Sequence, residues 1–298
     1  VQSIYKPLRE RVPDTQYCDT LKLILRRGEM IKDTPQGVGA LTCFATLPPM
    51  VFDLSNGVPL ITERSCSAFW KKAVAEIIAF INGARMIGDI HSFGTDFWEA
   101  YRGKGTKLGL KPDDMGPGSY GAAFTDFPAE TADGRRYGLN QFEQLLQQLK
   151  DFPQMRTHLV TPWVPYYTAR GPARKVIVAP CHGWLHFRLI NGRLDMRMDQ
   201  RSADVPIGVP SNMIQYAALL LMVCGVTGHK PGRYIHSFGD AHVYENQIDK
   251  VRDLITREPR PFPRLFLKPR SNLFDFRIED FELDEYDPHP GMRIPFAP

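Results

Sequence analysis

A thiol and a guanidinium occupy positions in this chain from which they could act together. Cys181 lies in Ala179-Pro180-Cys181-His182, and Arg201 lies in Asp199-Gln200-Arg201-Ser202-Ala203-Asp204. A free cysteine with a pKa of about 8.5 is only a few per cent thiolate at neutral pH, and a neighbouring guanidinium raises that fraction. The pair reads as a nucleophile beside a buried, anion-holding cation. Whether they meet depends on the residues between them. Trp184 to Ile190 and Arg193 to Asp199 flank Asn191-Gly192, and Leu194, Met196 and Met198 alternate with charged residues. Asn-Gly between alternating runs predicts a two-residue hairpin. Such a hairpin carries the chain out and back, so that Cys181 and Arg201 can finish on adjacent strands. The spacing permits that contact without establishing it, because an inert core thiol and a surface charge fit the same spacing.

Composition narrows the function classes. With 298 residues and 43% hydrophobic content the chain can bury a large core, as one large α/β domain or two small ones. The net charge is +4, and the basic residues are scattered rather than gathered in a stripe, which argues against a dedicated nucleic-acid binder and leaves a small anion open. Five widely spaced cysteines with no Cys-x-x-Cys pair suggest neither a disulfide framework nor a zinc site, so no metal is expected and a reducing cytoplasm is. The most apolar stretch, Ala217 to Val226, is shorter than a membrane span, and the N-terminus lacks the apolar run of a signal peptide; no membrane partner is expected.

The elements that must hold the chemistry follow from periodicity and punctuation. Residues 17–29 predict a short helix, 51–54 and 60–62 strand pieces, and 67–81 a stronger helix, ended by Asn82-Gly83, with Glu76 on its apolar face. Residues 102–138, rich in Gly, Pro and Asp, predict a long loop insertion, and 164–174 a second. A helix is expected at 141–150 and strands at 158–163 and 175–179, before the hairpin. Asn212 then reads as the N-cap of an apolar helix from Met213 to Cys224, followed by strands at 233–237 and 264–267. The irregular mixture of strands and helices predicts an α+β fold.

Six segments, in order, resemble the thymidylate synthase family over nearly the whole chain from Tyr17. They are Ala179-Pro180-Cys181-His182, Gln200-Arg201-Ser202-x-Asp204-Val205, Gly208-x-Pro210-x-Asn212, Gly239-Asp240-x-His242-x-Tyr244-x-Asn246, Arg257-Glu258-Pro259-Arg260-Pro261 and Tyr286-Asp287-Pro288-His289-Pro290-Gly291. The resemblance implies a single domain spanning 1–298, a large mixed β-sheet packed with helices, with one sheet face forming a homodimer interface. It also implies a pyrimidine nucleoside monophosphate and 5,10-methylenetetrahydrofolate as substrates. Cys181 would attack carbon 6 of the ring, making carbon 5 nucleophilic enough to take a one-carbon unit. Asn212 would support carbonyl oxygen 4, and Glu76, with water, would serve the proton leaving carbon 5. An amide at 212 also matches N3–H and O4 of uracil, where cytidylate-using relatives carry aspartate. By the same resemblance His242 and Tyr244 hold the sugar 3′-hydroxyl, Arg201, Gln200 and Ser202 bind the nucleotide, and Asp204, Trp98 and Gly208 face the folate. Tyr120 and His182 match further active-site positions.

The family pattern is broken at the phosphate. Of four arginines usual there, the N-terminal loop reads Lys32-Asp33-Thr34-Pro35-Gln36-Gly37, and the pair donated by the partner subunit reads Arg156-Thr157. Each lost charge-assisted contact costs about 1.5–3 kcal/mol unless replaced, and Lys32 or His158 is the candidate replacement. Further departures are Ser211 for an aromatic, Tyr101 for a tryptophan, the 164–174 loop, and the C-terminus Pro295-Phe296-Ala297-Pro298. The departures near the one-carbon unit bear on whether its methylene is reduced to methyl or captured by water. Three readings stand: a thymidylate synthase giving dTMP and dihydrofolate; a 5-hydroxymethylase giving tetrahydrofolate, as found in phages or antibiotic pathways, the host cytoplasm then being its compartment; and a noncatalytic nucleotide- or RNA-binding relative.

Overall fold

A computed structural model, describing residues 4–297, shows an α+β architecture built on one large mixed sheet. In chain order come α1 (Gln16–Arg27), β1 (Glu29–Ile31), β2 (Ala40–Phe44), β3 (Met50–Asp53), α2 (Trp70–Ile81), α3 (Ile87–Ser92) and α4 (Tyr120–Thr125). Next are β4 (Phe127–Glu130), β5 (Arg136–Leu139), α5 (Gln141–Asp151), β6 (Leu159–Val160), α6 (Pro165–Thr168), β7 (Trp184–Ile190) and β8 (Arg193–Asp204). The chain finishes with α7 (Gly208–Thr227), β9 (Lys230–Tyr244), α8 (Ile248–Leu254), β10 (Arg264–Leu267) and β11 (Phe281–Asp284).

The main sheet runs β1-β2-β9-β8-β7-β6, and β3 pairs with β9 alongside β2. Among the described strands only β8 and β9 pair in parallel, because α7 carries the chain back between them; a parallel pair needs such a crossover, whereas a hairpin serves an antiparallel one. The hairpin joining β7 to β8 turns at Asn191 and Gly192, with φ of 50° and 77°, and pairs Ile190 with Arg193. Two consecutive positive φ values are what Asn-Gly accommodates best, so the local sequence sets the register of the whole hairpin. Leu194, Met196 and Met198 are fully buried, while Arg197 between them is exposed. Burying each such side chain is worth about 1.5–3 kcal/mol, and a slip of one residue would turn all three to water.

α7 is the core helix. Val209 to Cys224 is buried almost throughout, and α7 packs against α2, β8 and β9. It is the one described helix long and apolar enough to cross a membrane, and 83% of that stretch is buried within the fold. One hydrophobic cluster extends from Tyr5 to Ile294 and includes the inner faces of α1, α2, β8 and β9.

Several elements differ from the sequence reading. α7 starts at Gly208 rather than at 213, so Asn212 lies inside it and does not cap it; Pro210 is tolerated because the first turn has no intrahelical partner for its missing N–H. The 102–138 segment is not a bare loop, since it holds α4 and the small hairpin of β4 with β5. Residues 60–62 and 175–179 form no strand, and 158–163 shrinks to β6. Short apolar runs state burial without stating extension, and Leu60, Ile61 and Val176 are indeed buried, in irregular backbone. In 164–174, α6 supplies a single helical turn.

Candidate active site

The hairpin brings Cys181 and Arg201 together. The Arg201 backbone N–H donates to the Cys181 carbonyl at 2.8 Å, extending the β7–β8 pairing beyond the end of β7. The Arg201 Nη2 lies 3.4 Å from Cys181 Sγ, while Nε and Nη2 donate to the carbonyls of Pro180 (2.7 Å) and Ala179 (2.9 Å). The guanidinium also lies over the Trp163 ring, 5.5 Å from its centroid. Contrary to the sequence reading, Arg201 is exposed, because it falls on the outward side of β8. Two glycines allow this packing. A Cβ at Gly239 on β9 would stand 2.9 Å from the Arg201 carbonyl, and Gly183, at φ 96°, turns the chain from Cys181-His182 into β7.

Burial pushes the Cys181 thiol above its ordinary range, and Arg201 pulls the other way with the smaller effect. Without substrate the group is therefore held as a thiol with a cation beside it. Tyr120, at the start of α4, fixes the adjoining backbone: its hydroxyl accepts from the N–H of Cys181 at 2.6 Å and of His182 at 3.4 Å. Its ring stacks on Phe80 at 4.7 Å and on His182 at 4.6 Å. His182 Nδ1 bonds the Tyr216 hydroxyl at 2.6 Å, and burial lowers its pKa to about 3, so the ring is neutral and accepts from the phenol.

Glu76 projects from the middle of α2 into a wall of aromatic rings. Trp98 Nε1 donates to its Oε1 at 2.6 Å and Gln215 Nε2 to its Oε2 at 2.9 Å. Both bonds favour the carboxylate, yet desolvation outweighs them and raises its pKa to about 7. Such an acid can accept and return a proton at neutral pH. Asn212 lies on the same polar run: its Nδ2 donates to Gln215 Oε1 at 3.0 Å, and its Oδ1 accepts from Gln200 Nε2 at 3.1 Å. The Gln200 Oε1 pairs with His236 Nε2 at 2.8 Å, and His236 Nδ1 with the Tyr234 hydroxyl at 3.0 Å. Burial lowers His236 to about 3, so it too is neutral.

On the β9 side, His242 and Tyr244 are both buried, with rings edge to face at 4.9 Å, and His242 Nδ1 lies 3.4 Å from Asp240. Ser202 offers its carbonyl to Gln200 Nε2 at 3.1 Å. Asp204 ends β8 and receives the Ile207 N–H at 3.3 Å and Gln247 Nε2 at 3.2 Å; burial raises its pKa. The same Gln247 nitrogen reaches the Pro295 carbonyl at 3.0 Å, and Ala297 packs on Ala40 and Tyr244, so the C-terminal segment is seated beside Asp204. Gly208 opens α7, and a Cβ there would lie 3.8 Å from Asn212 Oδ1.

Other expected residues are not gathered here. Arg156 is exposed, and its guanidinium makes no hydrogen bond or ion pair among the described residues; only its carbonyl is engaged, by His186 at 3.0 Å. Lys32 is exposed in its loop. His158 is not a replacement phosphate ligand, because its ring is fully buried and burial lowers its pKa. Among the described residues no cluster of three His, Cys, Asp or Glu is placed to hold a metal ion.

Sequence reasoning missed Gln215, His236, Tyr216, Tyr234, Gln247 and Trp163. For Gln215 a signal was present: it is the polar residue three positions after Asn212 in an otherwise apolar helix, and such pairs face each other. Chemically, the assembly provides a thiol beside a cation, a carboxyl poised at neutral pH and an oriented amide, the parts needed to add a nucleophile to an electron-poor ring and move a ring proton. The sequence model of the thymidylate synthase family matches residues 15–298.

Proposed function

From the premise that the chain belongs to the thymidylate synthase family, enzymes that transfer a folate-borne one-carbon unit to a pyrimidine nucleotide, we propose that it converts dUMP to dTMP. The carrying observation is the unbroken set of contacts from Cys181 through Tyr120 and Trp98 to Glu76, and from Glu76 through Gln215 to Asn212. Cys181 adds as thiolate to carbon 6, and the electron pair released makes carbon 5 attack the methylene carbon. Asn212 supports O4 while negative charge develops there. Glu76, through water, takes the proton from carbon 5, and loss of that proton expels tetrahydrofolate and leaves an exocyclic methylene. 5,10-Methylenetetrahydrofolate supplies the one-carbon unit and, on this reading, the hydride that makes it methyl. Departure of the Cys181 sulfur restores the ring. Asp204, Trp98 and Gly208 face the folate, and His242, Tyr244, Arg201, Gln200 and Ser202 the nucleotide.

A homodimer through the sheet face accompanies this reading, with Arg156 donated across the interface to the phosphate. The unpaired guanidinium of Arg156 and the exposed Met155 and Leu159 beside it support that arrangement. A single domain is supported by the continuous core, and a reducing cytoplasm by the five free cysteines.

Hydroxymethylation is the second reading, and Tyr101 favours it. Its half-buried ring lies 5.4 Å from Trp98, its hydroxyl has no hydrogen-bond partner among the described residues, and Cys181 and Glu76 are near enough to help raise its pKa. A phenol there can hold a water for the methylene. Incubation with dUMP, UMP, dCMP or CMP and the folate, followed by dihydrofolate absorbance and product mass, separates the readings. A methylated uridylate with stoichiometric dihydrofolate supports the synthase; a product heavier by a hydroxymethyl group without dihydrofolate refutes it in favour of the second reading. Turnover of cytidylates alone refutes the role given to Asn212. Cys181→Ala abolishes either activity and the covalent complex with 5-fluoro-dUMP; persistence of turnover refutes the nucleophile.

A further inference from the structure

We infer that Gln215 fixes which way the Asn212 amide faces, and thereby makes the choice between a uracil and a cytosine ring depend on the ionisation of Glu76. The inference rests on the reading of Asn212 as the group that pairs with the ring edge. An amide presents an oxygen and an NH2 of nearly equal size, so its partners decide its facing. Here every link donates in one direction: Tyr234 to His236, His236 to Gln200, Gln200 to Asn212, Asn212 to Gln215, and Gln215 to Glu76.

The two ends of this run differ in stiffness. At the Tyr234 end a hydroxyl rotates and a neutral imidazole changes tautomer, so the direction there can reverse, at the loss of the Gln200 bond to the Ser202 carbonyl. At the other end an ionised carboxylate only accepts. Gln215, fully buried, must then turn its NH2 to Glu76 and its oxygen to Asn212, which must answer with Nδ2. One N–H and one lone pair remain on Asn212, matching O4 and N3–H of uracil. Cytosine presents the opposite pattern and requires Asn212 and Gln215 to reverse together. The Gln215 oxygen would then face Glu76, which repels it when ionised and donates to it when protonated.

The titratable groups around Glu76 leave it to act alone in the relevant range. Tyr101 from the segment after Trp98, Tyr120 from α4 and Tyr216 from α7 face it, with the Cys181 thiol beyond Tyr101; burial raises all four, and His182 stays neutral. No ion pair to Glu76 forms among the described residues, and its own pKa is about 7.

The test is binding of dUMP and dCMP, by calorimetry without folate, between pH 6 and 8, with UMP and CMP in parallel. The preference for the uracil nucleotide should rise roughly tenfold between pH 6 and 8, nearly all of it above pH 7, since cytosine requires the protonated form whereas a carboxyl in either form can accept from Gln215 in the uracil arrangement. The phosphate titrates equally in both ligands and cancels in the ratio. Cytidylate should also take up about one more proton than uridylate at pH 8. Gln215→Met, which keeps length without polarity, should flatten the pH dependence and lower the preference at pH 8 at least tenfold. Glu76→Gln, which can donate or accept, should flatten it too and serves if the Met variant does not fold. A wild-type preference for dUMP that stays constant with pH, or a full preference in Gln215→Met, overturns the inference while leaving Asn212 as the reader of the ring. A wild-type protein with no preference for the uracil nucleotide at any pH overturns the underlying reading as well.

Discussion

Replacing Glu76 by glutamine should stabilise the free protein at neutral and alkaline pH and do little in acid. An ordinary glutamate titrates near 4.5, whereas burial raises Glu76 in the fold to about 7. The folded pKa lies above the unfolded one, so the unfolded chain gives up this proton first. As pH rises from about 4.5 to about 7 the native state loses stability at about 1.4 kcal/mol per unit, and above that range the loss is constant. Titration at about 7 in place of about 4.5 is therefore worth roughly 3 kcal/mol at pH 8, and about 1 kcal/mol remains at pH 5. Glutamine does not titrate. Whatever fixed change it makes to the bonds from Trp98 and Gln215 cancels when the variant and the parent are compared at two pH values. Urea unfolding of both proteins at pH 5, 6, 7 and 8, at one protomer concentration, should show the variant gaining about 2–3 kcal/mol on the parent between the extremes. A difference that stays flat would show that Glu76 is not held near neutrality by burial, and the proton-transfer role would lose its physical basis.

Arg201→Gln should raise the pKa of the Cys181 thiol and slow its alkylation by iodoacetamide below that pKa, whereas Arg201→Lys should preserve most of the rate; equal rates in all three would refute the electrostatic coupling across 3.4 Å. Gly239→Ala forces a Cβ to within 2.9 Å of the Arg201 carbonyl and should cost about 1–3 kcal/mol in urea unfolding, with an unchanged midpoint counting against close β8–β9 packing there. Gln247→Leu removes the donor shared by Asp204 and the Pro295 carbonyl, so KM for the folate should rise and proteolysis after residue 291 should quicken; an unaltered KM and digestion pattern would leave Gln247 no part in seating that segment.

What the sequence disclosed, and what it withheld, divides along the range of the forces involved. The Asn191-Gly192 turn and the helix end at Asn82-Gly83 are fixed by local backbone preference and stand where the residues placed them, while that helix begins at Trp70 rather than at 67. The spacing only permitted the contact of Cys181 with Arg201, and the register set by the two-residue turn brings it about. The exposure of Arg201 did not follow, since the sidedness of a strand depends on what packs against the sheet. Asn212 looked like a cap because asparagine favours caps. Within α7, however, its amide is satisfied by Gln200 and Gln215, residues from β8 and from the next turn, and tertiary partners of that kind overrode the local preference. Tyr101 and the phosphate-side arginines were legible only as departures from a family pattern, and burial alone then removed His158 from the candidates.

The course of α7 explains how so polar a run survives in the core. Beyond Tyr216 the helix carries Ala217 to Val223, all buried against α2 and the sheet, and this apolar length holds the first two turns in place. Those turns carry Asn212, Gln215 and Tyr216 into the site. An unpaired buried amide costs about 1–3 kcal/mol, but each of these side chains meets a partner within about 3 Å, so the run adds little penalty while it is intact. Breaking one member leaves its neighbours unpaired, which makes the network all or none. The exception is Glu76, whose burial remains costly at neutral pH even with two donors. A group that destabilises the fold when ionised, set beside a thiol, an aromatic wall and an oriented amide, fits the proton-transfer role proposed for it better than a stabilising one.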